Sequence, residues 1–162
     1  DMYQWGRGND GHQCRTSSTT ATLSSSNQPA NGDFITISSG NRDWRSLQNT
    51  NLWQGVNGVN NPCPIGYRIP TETELNAERL SWATNNFSGA FASALKLPMG
   101  GGRTGSNGSI YKVGSSATFG AGGYWSSTVS SNNSRFLSFG VTGSSMVAYN
   151  RAEGLSVRCL KD

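Results

Sequence analysis

Residues 134–154 read SRFLSFGVTGSSMVAYNRAEG, and the way this stretch alternates decides the fold. Arg135, Leu137, Phe139 and Val141 fall on one side of an extended chain, Phe136, Ser138 and Gly140 on the other. A half-buried strand turns its apolar set to the core and its polar set to water. Leu137 and Phe139 make a core set, which leaves the Phe136 ring on the side shared with serine and glycine. Val147 and Tyr149 stand in similarly polar company a few residues on. Either these rings cap a second small core, or they are displayed to touch a partner.

The rest of the chain fits short strands joined by irregular loops. Its 162 residues suit one domain with one core. Only 34% are apolar, 14% are charged, and 21 glycines break the chain into short pieces. A helical bundle would need long runs of Ala, Leu, Glu and Lys, and a disordered tail would lack five tryptophans and six phenylalanines. Further strands are expected at LKLP (95–98), SIYKV (109–113), GYWSST (123–128) and LSVRCL (155–160), between Gly, Ser and Asn turns. In IPTETELNAERLSW, Thr71 and Glu74 have the spacing of a capping box, and Leu75, Arg79 and Trp82 follow at helical intervals. A helix is therefore expected over 71–82, with a second short one around GAFASAL (89–95). The fold class is α+β. The Ser/Thr-rich segment before residue 34 reads as a long surface loop, and Trp44 and Trp53 as anchors of irregular backbone.

Several function classes lose support on composition and spacing. The net charge of +4 comes from singly scattered arginines, without the basic stripe and interleaved aromatics of a nucleic-acid surface. No apolar run reaches the length of a membrane span, so no membrane insertion is expected. The chain opens without an initiator methionine and is read as a fragment or processed product. Gly6, Gly8 and Gly11 match a dinucleotide-binding spacing, but no apolar strand precedes them and no apolar helix follows, so they read as a tight turn. The single histidine, His12, lacks any framing nucleophile, and no enzymatic activity is expected. One histidine and three scattered cysteines do not make a zinc site. No cofactor is expected; calcium stays open, since Asp10, Asp33 and Asp43 lie apart in sequence and form no motif that would show or exclude it.

Three cysteines allow at most one internal bridge. Cys63 and Cys159, each in a short rigid context, form the best pair, the alternative being two buried thiols. In the chain-entropy view such a loop contributes about 4–5 kcal/mol at most. Cys14 is left without a role.

NPCPIGYRIPTETEL, GGYWSST, SRFLSF and RAEGLSVRCLKD together resemble one pattern. It is shared by the Fibrobacter-type major paralogous domain and by C-type lectin-fold variable proteins of diversity-generating retroelements. The resemblance runs from about residue 60 to the end, and DMYQWGRGNDGHQ looks like the N-terminal part of the same family. It implies a C-type lectin-like fold over 1–162, with a variable region at about 123–162 and no catalysis. Carried over by position, Tyr124, Trp125, Ser126, Ser127, Arg135, Leu137, Phe139, Met146, Arg151, Gly154, Ser156, Val157, Arg158 and Cys159 would be fixed scaffold. The variable ligand-binding face would comprise Ser131, Asn133, Phe136, Ser138, Gly140, Val147, Tyr149, Asn150, Glu153 and Leu155. On this reading Phe136 would be exposed as a contact residue, while period-2 logic from Val157 would bury Leu155. The implied partner is a protein or glycan receptor on a target cell. The implied setting is extracellular, at a phage tail-fibre tip or bacterial surface, and the tail-fibre analogy implies a homotrimer. A fixed structural or adhesive module of a bacterial cell-surface protein would use the same fold.

Overall fold

The computed structural model describes every residue except 39, 41, 116, 118 and 119. In chain order the elements are β1 (Tyr3–Gln4), β2 (Thr19–Thr20), β3 (Phe34–Ile35), β4 (Tyr67–Arg68), α1 (Glu72–Leu80), α2 (Phe87–Ala92), β5 (Gly102–Arg103), β6 (Ile110–Tyr111), β7 (Gly122–Ser130), β8 (Asn133–Phe139), β9 (Ser144–Asn150), β10 (Gly154–Leu155) and β11 (Leu160–Lys161). This is a loop-rich α+β architecture. Its longest strands form the three-stranded antiparallel meander β7–β8–β9, and a four-stranded antiparallel sheet of short strands runs β1–β10–β5–β6. Two-stranded pairs β4–β11 (antiparallel) and β2–β3 (parallel) complete it.

Local chemistry explains the helices. The Thr71 side chain accepts from the Glu74 amide at 3.3 Å, and the Thr71 amide donates to Glu74 Oε2 at 2.8 Å, satisfying two donors of the first turn. The Asn86 side chain caps α2 by accepting from the Ser88 and Gly89 amides. The LKLP stretch does not form a strand. Its backbone is taken up by the turn that ends α2, where Lys96 N–H donates to Ser93 and Leu97 N–H to Ala90, with Lys96 at φ +51°.

The meander is covered on both faces, which is the main departure from a half-buried strand. Tyr124, Leu137 and Phe139 face Leu75, Trp82, Ala90 and Leu97 of the helical layer. The Phe139 ring meets Trp82 edge-on at 5.7 Å and stacks on Tyr124 at 6.0 Å. On the other face Trp125 and its register partner Phe136 pack with Tyr3, Trp5, Trp53, Ile69 and Leu155. Phe136 is thus 9% exposed rather than displayed. The ring expected in solvent is covered by loops that lie far away in sequence. Leu155 is buried, as strand parity from Val157 implied.

Four indoles tie those loops down. Trp5 Nε1 donates to the Ser126 carbonyl at 2.8 Å, Trp44 to Trp5 at 2.7 Å, Trp125 to Tyr3 at 2.8 Å, and Trp53 to Arg7 and Asn60. Each buries a large apolar body while satisfying its one polar atom on irregular backbone. Between Trp125 and Val129 the register of β7 against β8 shifts. The residues freed from the ladder are buried Ser126, which receives Trp5, buried Ser127, whose amide donates to Pro70, and Thr128, whose hydroxyl accepts from the Glu72 amide at 2.9 Å. The bulge therefore docks the N-terminal segment and the start of α1 onto the sheet.

Candidate functional site

The Phe136 face of the meander opens into a cavity of about 670 Å³. Register pairing explains why. Phe136 sits opposite Val147, Ser138 opposite Ser145, and Ser134 opposite Tyr149, so these side chains share one face. The floor is Phe136, Val147, Leu155 and Gly123, and Thr104, Tyr111, Lys112, Gly120, Tyr149 and Glu153 form the surround. A second cavity of about 340 Å³ shares Thr104, Tyr149 and Glu153 with the first and continues to Ile37, Ser38, Arg42, Ser106 and Asn150.

Tyr111 is set against the sheet by Gly102. A Cβ at that position would lie only 2.3 Å from the Tyr111 hydroxyl. Between the two cavities Glu153 is buried, with Oε2 accepting from the Gly105 amide at 2.9 Å and the Tyr111 side chain beside the carboxylate. Burial pushes its carboxyl upward despite these donors. The Tyr111 phenol is raised too, by burial and then by the charge of Glu153. Tyr149 is 47% exposed, and its ring meets Phe136 edge-on at 6.5 Å.

Of the residues expected on a binding face, Phe136, Ser138, Val147, Tyr149, Glu153 and Leu155 line the larger cavity, and Asn150 lines the smaller. Ser131, Asn133 and Gly140 line neither. Ser131 forms the β7–β8 turn at φ +53°. Its carbonyl and that of Asn133 accept from Arg151, at 3.2 and 3.5 Å. Gly140 lies at the far end of β8, where its carbonyl accepts from Phe87 and its amide donates to Gly143. Thr104, Tyr111, Lys112 and Ser145 carried no functional signal in the sequence. Tyr111 was legible only as part of a strand.

The remaining polar clusters are structural. His12 Nε2 accepts from the Gln4 amide at 3.0 Å while Nδ1 lies 2.5 Å from Asp10 Oδ1. A neutral ring protonated at Nδ1 satisfies both contacts, and burial lowers the imidazole to about 4. Arg7 pairs with Asp10 at 2.6 Å and lies over Trp44. Arg151 sits over Trp5 at 4.7 Å and pairs at 3.5 Å with Asp43, whose carboxyl burial pushes up to about 6. A disulfide joins Cys63 to Cys159 and fixes the C-terminal segment beside the start of α1; Cys14 is a free, exposed thiol. Among the described residues, no three His, Cys, Asp or Glu side chains gather as a metal-binding group, and no helix is long and apolar enough to cross a membrane.

Compared with family models, curated proteins and solved structures, the chain matches none.

Proposed function

We propose that this chain is a target-binding domain of the C-type lectin-like kind, similar to the variable proteins of diversity-generating retroelements, and that it binds through the Phe136–Tyr149 cavity. The observation that carries the reading is convergence. Six positions picked out by resemblance, spread from Phe136 to Leu155, meet at one concavity of a size that suits ligand recognition. Tyr149 supplies exposed amphipathic area, and Ser138 and Ser145 supply small adaptable hydrogen-bonding groups, as in paratopes. Tyr124, Leu137 and Phe139 pack the helical layer on the opposite face, so changes in the cavity leave that layer alone. The ligand on this proposal is a protein or glycan receptor, met outside the cell at a virion tail tip or bacterial surface. Homotrimeric assembly belongs to the same proposal.

One observation favours a second reading, a fixed adhesive module without diversification. Phe136 packs edge-on against Trp125 at 5.6 Å, and a ring inside a core tolerates random replacement poorly. The coding DNA separates the two. A second near-copy of the segment for residues 123–162, differing mainly at adenines and lying near a reverse transcriptase gene, is the outcome expected for a diversified face. A single copy with no such neighbour leaves the adhesive module.

A further inference from the structure

Among the described residues Glu153 is the only acid lining either cavity, and it is 6% exposed. Its hydrogen-bond donor is the neutral Gly105 amide, the neutral Tyr111 side chain lies beside it, and no ion pair to it is formed among the described residues. A buried carboxylate held only by neutral donors gains strongly from a counter-charge brought in from outside. The larger cavity that Glu153 lines is also lined by the rings of Phe136, Tyr111 and Tyr149, and aromatic faces attract cations. Lys112 and Arg42 border the two cavities from exposed positions, where water and salt screen them more than they screen a buried group.

We propose that the cavity accepts a basic side chain of a protein target, an arginine guanidinium or lysine ammonium seated against Glu153 and flanked by these rings. This rests on the target-binding reading and names the chemistry it selects. The cavity exceeds one side chain in volume, which leaves Val147 and Leu155 to pack apolar neighbours of the basic residue. With a net charge of +4, the chain as a whole does not steer a basic partner toward it. Recognition therefore depends on short-range contacts inside the cavity rather than on the long-range field.

The test is an amide NMR titration of the full chain with three capped amino acids: Nα-acetyl-arginine methylamide, its norleucine counterpart and its glutamate counterpart. The arginine probe is expected to shift Gly105, Tyr111, Val147 and Glu153 saturably, about tenfold or more tighter than the other two. Glu153→Gln keeps an acceptor for the Gly105 amide and should remove the preference for arginine over norleucine. Equal binding of arginine and norleucine to the native chain, or preference for glutamate, overturns the proposal while leaving a binding cavity. An arginine preference that survives in Glu153→Gln does the same. If no probe moves these signals, the cavity is not a binding site and both readings fall. The three-probe comparison on the native chain decides the matter even if the variant does not fold.

Discussion

The indole N–H of Trp125 donates to the carbonyl of Tyr3 at 2.8 Å, across a sequence separation of 122 residues. This bond clamps the N-terminal strand β1 to β7, an edge strand of the β7–β8–β9 sheet, while β1 also pairs with β10 near the C-terminus. The ends of the chain are thus held together at the edge of the cavity floor. Trp125→Phe retains much of the ring but leaves a buried carbonyl short of a donor. That deletion should cost about 1–3 kcal/mol for the lost bond, with more from the missing indole volume. Chemical denaturation checks it, and an unchanged midpoint would show that the clamp contributes nothing.

His12 provides a prediction that depends on pH. Its ring is buried and held neutral between the Gln4 amide and Asp10, with burial lowering it to about 4. Between the ordinary histidine value of about 6.5 and that lowered value, the unfolded chain takes up a proton that the native chain refuses. The contribution is complete above the unfolded value and is lost as pH falls toward the folded one, by about 3 kcal/mol in all. Asp43, raised to about 6 by burial, acts in the opposite sense, because there the native state holds the proton as pH falls. Overall melting is therefore a poor readout. With a single histidine, ring ¹⁵N shifts report His12 directly. They should show a neutral Nδ1–H ring from pH 8 to 5, and a titration midpoint near the ordinary value would refute the burial argument.

How much was readable from the chain depended on how local each cause is. The start of α1 was legible because Thr71 and Glu74 satisfy each other three residues apart. The strands of the meander were legible by alternation, and Trp44 and Trp53 as anchors by their size among Asn and Gly. The second buried face of β8 was not. Its cover comes from Tyr3, Trp5 and Trp53, in segments with no periodicity, and nothing near Phe136 announces them. Tyr111 and Lys112 reach the cavity through the β5–β6 hairpin, and the requirement for Gly102 beneath the Tyr111 ring appears only when the chain is folded. Ser131 and Asn133 failed to join the cavity for a related reason. They sit at the β7–β8 turn, where Arg151 engages their carbonyls.

Phe136 and Tyr149 meet edge to face, yet they should respond differently to truncation. Phe136 belongs to a core with Trp125, Trp5 and Leu155, so Phe136→Ala should lower stability by about 3–5 kcal/mol. Tyr149 is 47% exposed at the mouth of the cavity, and Tyr149→Ala should cost under about 1 kcal/mol. Its effect belongs to binding: an affinity for any peptide selected against the native face should fall about tenfold or more. Denaturation midpoints and binding isotherms on the two single variants separate the roles. A Phe136→Ala chain as stable as the native one would mean that the ring is not part of the core. A Tyr149→Ala chain that keeps full affinity would mean that ligands approach from elsewhere.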